Sequence, residues 1–482
     1  MLTQSDFINI GKQAAAIYES LELELIKEIA TRIARVGYAN TVVLNNMQIA
    51  QEMGLLYQDI ITLVARYNNS TYEEVAKIFE EAGAKTLKFD DKIYTEAGLN
   101  PLPINQSPSM LQILNSTIEK TSGNLQNLVM TTANTSQTQF YNAMNKAYME
   151  VSTGVKSYSQ SIIDVIKDIG SKGASIEYPS GRKYSLESAV RMNVVTSVNQ
   201  TCGKLQELRA NEMGWDLMEL TAHGGARPEH AEWQGKIVSR SGKKGYLSLD
   251  DIGYGEATGF KGVNCRHDWY PYYKGSSRTY TQEQLYAWEN EKVSYNGKEY
   301  SKYDATQVQR KIERQIRADK KELAGLQGIL TSTKDNKLIE DSRTEFSKRS
   351  LIYKTHQNEL DDFIQQTLLK KDNTRLYIGK QDKSISTQIA NVNKIANKYN
   401  NNIIGSKVNG VRIKEVGEHI ISRTYARNVS FENVQNALKN PVKYGKIRTD
   451  KTQQIKGENC TVVINTETGK LVTVYPKKTK KE

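Results

Sequence analysis

One block of this chain resists both regular secondary structures. In HGGARPEHAEWQGK, residues 223–236, and GYGEATGFKGVNCRHDWYPYYKG, residues 253–275, glycine recurs too often for a helix interior or a long strand. Whatever forms there must be loop-rich and held on a small scaffold. The block also carries four metal-donor residues, His223, His230, Cys265 and His267. Imidazole and thiolate are the donors zinc prefers, and two pairs bracketing a loop complete a tetrahedron, although H-x6-H followed by C-x-H matches no standard finger. A structural zinc is one reading. The other is that these side chains make loop hydrogen bonds and pack beside Trp233 and Trp269, with Arg227, Arg266 and Asp268 as ion-pair partners that order the loop without metal. A hydrolytic metal would also need a general base, for which Glu229 and Glu232 are the candidates, and nothing in the pattern requires one.

At 482 residues the chain is long enough for two to four compact units of roughly 100 to 200 residues each. Charged residues make up 25% and hydrophobic ones 38%, which is polar but globular, and eight prolines are too few for a proline-rich disordered chain. No run reaches the roughly 18 apolar residues of a membrane helix, and the start, MLTQSDFINIGK, lacks the basic and apolar regions of a signal peptide. Neither membrane spanning nor secretion is expected. Cys202, Cys265 and Cys460 are far apart and odd in number, which argues against a disulfide scaffold and for a reducing interior.

Around the glycine block the text is helical. Leu25, Ile26, Ile29, Ile33 and Val36 form an apolar stripe that Gly37 ends, and Asn100 to Ser109, with three prolines, reads as a surface loop. A hairpin is expected about Pro179-Ser180-Gly181, then a helix from about Ser185 to Glu212. In QVQRKIERQIRADKKELAGL acidic and basic residues recur at helical neighbour spacing, the pattern of an extended arm or connector and not of a core. The expected fold is multidomain: a mainly α first two thirds, a small loop-rich α+β unit within it, and a compact C-terminal α+β domain of two helices on an antiparallel sheet. The boundaries read from the text are 1–170 helical, 171–280 loop unit, 281–373 charged connector and 374–482 basic domain, with its core at about 400–476.

The blocks HGGARPEHAEWQGK and GVNCRHDWYPYYKG, with MGWD and a helix carrying Arg191, Asn193 and Thr196 before them, resemble the phage minor capsid protein 2 family, and look like a divergent Mu F-type head morphogenesis domain. The likeness covers about the first 280 to 330 residues. It implies a virion component near the portal vertex, present in the host cytoplasm during assembly, with portal and other capsid proteins as partners. Cys265 and His267 fit the family's downstream block.

The net charge of +12 is unevenly spread: residues 403–482 hold 16 Lys and Arg against 7 Asp and Glu, which points to a polyanion partner for that end. His419 and Arg423 fall at i and i+4 of one helix, and Ser430 is a good N-cap for a second, with Phe431, Val434 and Leu438 at core spacing. Val462, Ile464, Val474 and Leu471 or Val472 supply one buried strand face; Arg448, Lys456, Thr461, Thr473 and Tyr475 fall to the other. This arrangement resembles the phage-borne nucleases of the barnase, EndoU, colicin and RelE superfamily, over about residues 400–476. The resemblance implies metal-independent transesterification of RNA, with His419 as general acid or base and Arg423, Arg448, Thr461, Thr473 and Tyr475 around the phosphate. Lys456, Arg427 and Lys446 would bind RNA, and an immunity protein would be a further partner. No cofactor is implied for this chemistry. The alternative is a basic module that grips DNA or capsid without cutting, with Lys477, Lys478, Lys480 and Lys481 as a solvated tail.

Overall fold

Thr3 opens the first helix, α1 (Gln4–Ile17), with a capping box: the Asp6 amide donates to the Thr3 hydroxyl and the Thr3 amide to the Asp6 carboxylate. The computed structural model describes residues 1–18, 20–36, 42–68, 71–173, 176–178, 181–379 and 383–477. In α2 (Leu21–Val36) the stripe Leu25, Ile26, Ile29, Ile33 and Val36 is buried; Gly37, its expected stop, lies outside the described residues. Then come α3 (Val42–Asn68) and α4 (Thr71–Glu96). The proline loop follows, and Ser107 caps α5 (Pro108–Ser152), whose Pro108 sits in the first turn where its missing N–H costs nothing. After α6 (Tyr158–Lys172) the short hairpin β1 (Ile176–Glu177) and β2 (Lys183–Tyr184) forms as expected, although Pro179 and Ser180 of its turn lie outside the described residues. Ser185 caps α7 (Leu186–Glu212), and the chain turns away through Gly214 at φ 63°.

The glycine block folds on the end of α7. Three short strands, β3 (Leu217–Leu220), β4 (Ile237–Ser239) and β5 (Trp269–Pro271), make an antiparallel sheet in the order β4-β3-β5, with the single-turn helix α8 (Pro228–Ala231) between β3 and β4. Met218, Leu220, Trp233, Val238, Ile252, Phe260, Cys265 and Trp269 form its own small core. Beyond it lie α9 (Gln282–Glu289) and the hairpin β6 (Lys292–Tyr295) and β7 (Lys298–Ser301).

The charged segment is no arm. It forms α10 (Lys302–Ser332), which packs against α2, α6 and α11 (Asn336–Thr367), and it buries Leu323, Ala324, Leu326 and Ile329 in the same core as the α2 stripe. Its charges pair across helices: Lys321 Nζ lies 2.6 Å from Glu22, and Arg349 of α11 lies 3.1 Å from Asp319 and 2.6 Å from Glu322. Two glycines permit the close approach. A Cβ on Gly328 would stand 2.8 Å from the Lys27 carbonyl oxygen and one on Gly325 2.7 Å from Ile166. The separate connector of residues 281–373, and the boundary at 170, therefore cut through one hydrophobic core.

Helix α12 (Lys383–Asn402) joins two cores: Ile385, Ile389 and Val392 belong to the helical body, Ala396 and Tyr399 to the C-terminal unit. That unit comprises the hairpin β8 (Lys407–Val408) and β9 (Val411–Arg412), then β10 (Glu415–Val416), α13 (Glu418–Ala426), α14 (Phe431–Lys439), β11 (Lys443–Tyr444), β12 (Thr452–Lys456), β13 (Cys460–Asn465) and β14 (Lys470–Pro476). Its sheet runs β10-β14-β13-β12-β11, and β10 pairs with β14 in parallel, so the sheet is mixed where an antiparallel one was expected. Val462, Ile464, Leu471 and Val474 are buried as read from the alternation, and Ser430 caps α14 by accepting from the Asn433 amide. All three cysteines are free and buried, and no helix among the described residues is long and apolar enough to cross a membrane.

The crossing of α10 over α2 makes a signed prediction. Replacing a helical glycine whose Cβ would have free space by alanine stabilises by about 0.5–1 kcal/mol, so Gly123→Ala in α5, where a Cβ meets nothing within 4 Å, should raise the melting temperature. Gly328→Ala should lower stability by about 1–3 kcal/mol through overpacking. A free arm would show the same gain at both positions in a thermal melt.

Candidate metal centre and the basic C-terminal face

Two polar neighbours set the tautomers of two buried histidines. His230 sits on α8, started by Pro228, and its Nε2–H donates to the Thr258 carbonyl at 2.8 Å. Gln234 Oε1 accepts from the His223 amide at 3.0 Å, which fixes the orientation of the side-chain amide, so the contact of the same oxygen with His267 Nε2 at 3.1 Å requires that nitrogen to donate. Both imidazoles then present a bare Nδ1. These two atoms face each other at 3.3 Å, and Cys265 Sγ lies 3.8 Å from His267 Nδ1. The ligand atoms of His230, Cys265 and His267 all fall within 4.8 Å of one another, and all three residues are buried.

His223 does not join them in that way. Its ring stacks on His267, with centroids 4.5 Å apart and 18° between planes, while its Nδ1 is within hydrogen-bond reach of Gln4 and of the Gly224 carbonyl. Trp233 packs edge-on to His267 and tilted over His230, with ring centroids 4.9 and 4.7 Å away. Burial keeps every imidazole neutral at pH 7: it lowers His230, lowers His223 to about 4, and holds His267 well below the usual range with help from His223 and His230. Burial raises the Cys265 thiol. Glu229 and Glu232 are exposed on α8 and just beyond it.

The loop is ordered by charges and donors around this cluster. Asp268, fully buried, accepts from Lys261 Nζ at 2.5 Å, the Leu2 amide at 2.5 Å and the Trp269 amide at 2.9 Å. Arg227 donates to the Val263 carbonyl at 2.5 Å, and the Asn264 amide donates to Thr196 of α7 at 3.1 Å. Asn199, one turn further along α7, donates to the carbonyls of Cys265 and His267 at 2.9 and 3.3 Å. Among the described residues Arg266 has no ion-pair partner, and burial first, then the like charges of Arg375, Arg310 and Arg191, push its guanidinium down to about 9. The supporting roles of Gln234 and Asn199 were missed in the sequence; the i, i+4 spacing of His230 and Gln234 was the one local signal for the first.

In the C-terminal unit the expected residues lie in three places. His419 is exposed in the first turn of α13; burial, then Arg423, Lys348 and Arg427, lower its pKa. Arg423 and Arg427 both donate to Glu340 of α11 at 2.9 Å, so the cation read as a phosphate binder is docked against the helical body. Arg427, roughly 12 Å further along the helix than His419, also donates to the Val474 carbonyl and lies over the Tyr475 ring, 4.6 Å from its centroid. Lys456, Thr461 and Tyr475 form one cross-strand row, whereas Thr473 is buried beside Val463. Arg448 and Lys446 are exposed in the β11–β12 turn; the Arg448 amide bonds the Thr452 carbonyl, four residues along the strand from Lys456, or about 13 Å. Lys478, Lys480 and Lys481 lie outside the described residues.

A family model described as phage minor capsid protein 2 matches residues 2–365, which takes in the helical body and the glycine block and stops before the basic unit. A protein of Lactococcus phage LL-H described as a structural protein is 28% identical over 282 residues, 55% of this chain and 73% of its own length. No solved structure matches.

The Lys261 and Asp268 pair yields a double-mutant test. Lys261→Met leaves a buried carboxylate short of its cation and should cost about 3–5 kcal/mol of unfolding free energy. Adding Asp268→Asn should cost less than the sum of the two single changes. Additive losses in denaturant melts would mean the pair is not coupled.

Proposed function

The chain belongs to the phage minor capsid protein 2 family, and from that membership we propose that it is a virion component acting in head morphogenesis at the portal vertex, with portal and other capsid proteins as its partners. It would be made in the bacterial host cytoplasm and carried into the particle. The observation that supports an assembly role is α3. Its inner face buries Ile49, Leu56, Ile60 and Val64, yet its outer surface still exposes Met47, Leu55, Tyr57 and Ile61, the last four 40–64% exposed. A helix apolar on both sides is one that expects a second neighbour. No turnover is needed for that role.

RNA cleavage by residues 400–476 is the second reading, and it rests on the exposed His419 and on the Lys456, Thr461 and Tyr475 row. On that reading an immunity protein joins the partners. On the assembly reading the same exposed lysines hold packaged DNA or capsid.

Leu55→Glu combined with Ile61→Glu should leave stability within about 0.5 kcal/mol and abolish incorporation into particles, as read by mass spectrometry of purified virions. Normal incorporation would remove α3 as the contact. For the second reading, the full-length chain with chelator present should yield cyclic-phosphate ends on RNA, and His419→Ala should slow this by about 10²–10⁴. Salt-sensitive RNA binding without product would leave only the binding module.

A further inference from the structure

We propose that His230 Nδ1, His267 Nδ1 and Cys265 Sγ bind one zinc ion that closes the glycine-rich loop unit, with His223 outside the coordination sphere. Ligand spacing supports the number and kind of donors. Zinc bonds of about 2.0–2.1 Å to nitrogen and 2.3 Å to sulfur, at tetrahedral angles, put two nitrogens about 3.3 Å apart and a nitrogen and a sulfur about 3.6 Å apart. The observed separations are 3.3 Å for the two Nδ1 atoms and 3.8 Å for Sγ and His267 Nδ1.

The hydrogen bonds around the three residues are those of a ligand shell. Metal-bound imidazoles donate their other N–H to a carbonyl or carboxylate, which fixes the tautomer and orients the ring. Here both do so, His230 to Thr258 and His267 to Gln234. The consequence without a cation is two lone pairs directed at each other among packed, buried rings, an arrangement that repels. Neutral Nδ1 atoms and a thiolate facing one point are what a divalent, nitrogen- and sulfur-preferring ion requires, and oxygen-preferring calcium or magnesium would find no oxygen among these three donors. The position of the cluster defines its role. Cys265 and His267 precede β5 and His230 precedes β4, so one ion would add a bond between the β3–β4 and β4–β5 loops to the hydrogen bonds that already join them. His223 stacks on His267 with its Nδ1 toward Gln4 and lies outside the group of three converging ligand atoms, which places it as a cover.

The test uses the full-length chain produced with zinc or with cobalt in the medium. About one zinc per chain is expected by elemental analysis, and the cobalt form should show tetrahedral ligand-field bands with a thiolate-to-cobalt charge-transfer band. Cys265→Ser should abolish the charge-transfer band, while His223→Phe, which keeps a stacking ring but no ligand, should keep both the metal and the band. A wild-type chain with no bound zinc and no cobalt band overturns the site. Loss of metal in His223→Phe with retention in Cys265→Ser overturns the ligand assignment.

Discussion

The buried polar face of α7 holds this architecture together. Loops carry backbone carbonyls that need donors when they are covered, and α7 supplies those donors from inside a helix. Asn199 reaches the carbonyls of Cys265 and His267; Gln206 donates to the Trp269 carbonyl at 2.6 Å and to Asp90 at 3.0 Å. Arg209, with no exposed surface, lies 2.9 Å from Asp91 of α4 and donates to the Leu102 carbonyl. The first half of the same helix contributes Val190, Val194 and Val198 to the main core. One helix thus fixes both the helical body and the segment that presents the histidines and the cysteine.

Local rules made part of this legible. The α2 stripe, the Ser185 and Ser430 caps and the alternation in β13 and β14 each depend on residues within a few positions of one another, and each is found in the structure. The reading of α10 as an arm failed because its charges were paired along the helix by spacing, whereas Lys321, Asp319 and Glu322 pair with side chains on α2 and α11. Nothing in a charge pattern reports a partner 299 residues away. The two glycines that let α2 and α6 close in on α10 look in sequence like weak points of a solvated helix.

The same limit governs the site. Residue type and clustering brought out His223, His230, Cys265 and His267 together, but whether a ring stacks or points its nitrogen inward is decided by Gln234, Thr258 and Gln4, which spacing does not weigh. At the C-terminal end the positive surplus was visible, and its neutralisation at Arg423 and Arg427 by Glu340 was not, since that carboxylate belongs to α11. The exposed remainder, Lys446, Arg448 and Lys456, lies away from that contact and remains available to a polyanion.

Hydrogen–deuterium exchange on Asn199→Ala tests the role of α7 most directly. Removing the carboxamide leaves the carbonyls of Cys265 and His267 without their donor, so amides across residues 262–272 should exchange faster while those of α10 keep their protection. Unchanged protection in 262–272 would contradict the account, because the loop would then be held by its own short strands and not by the helix beneath it.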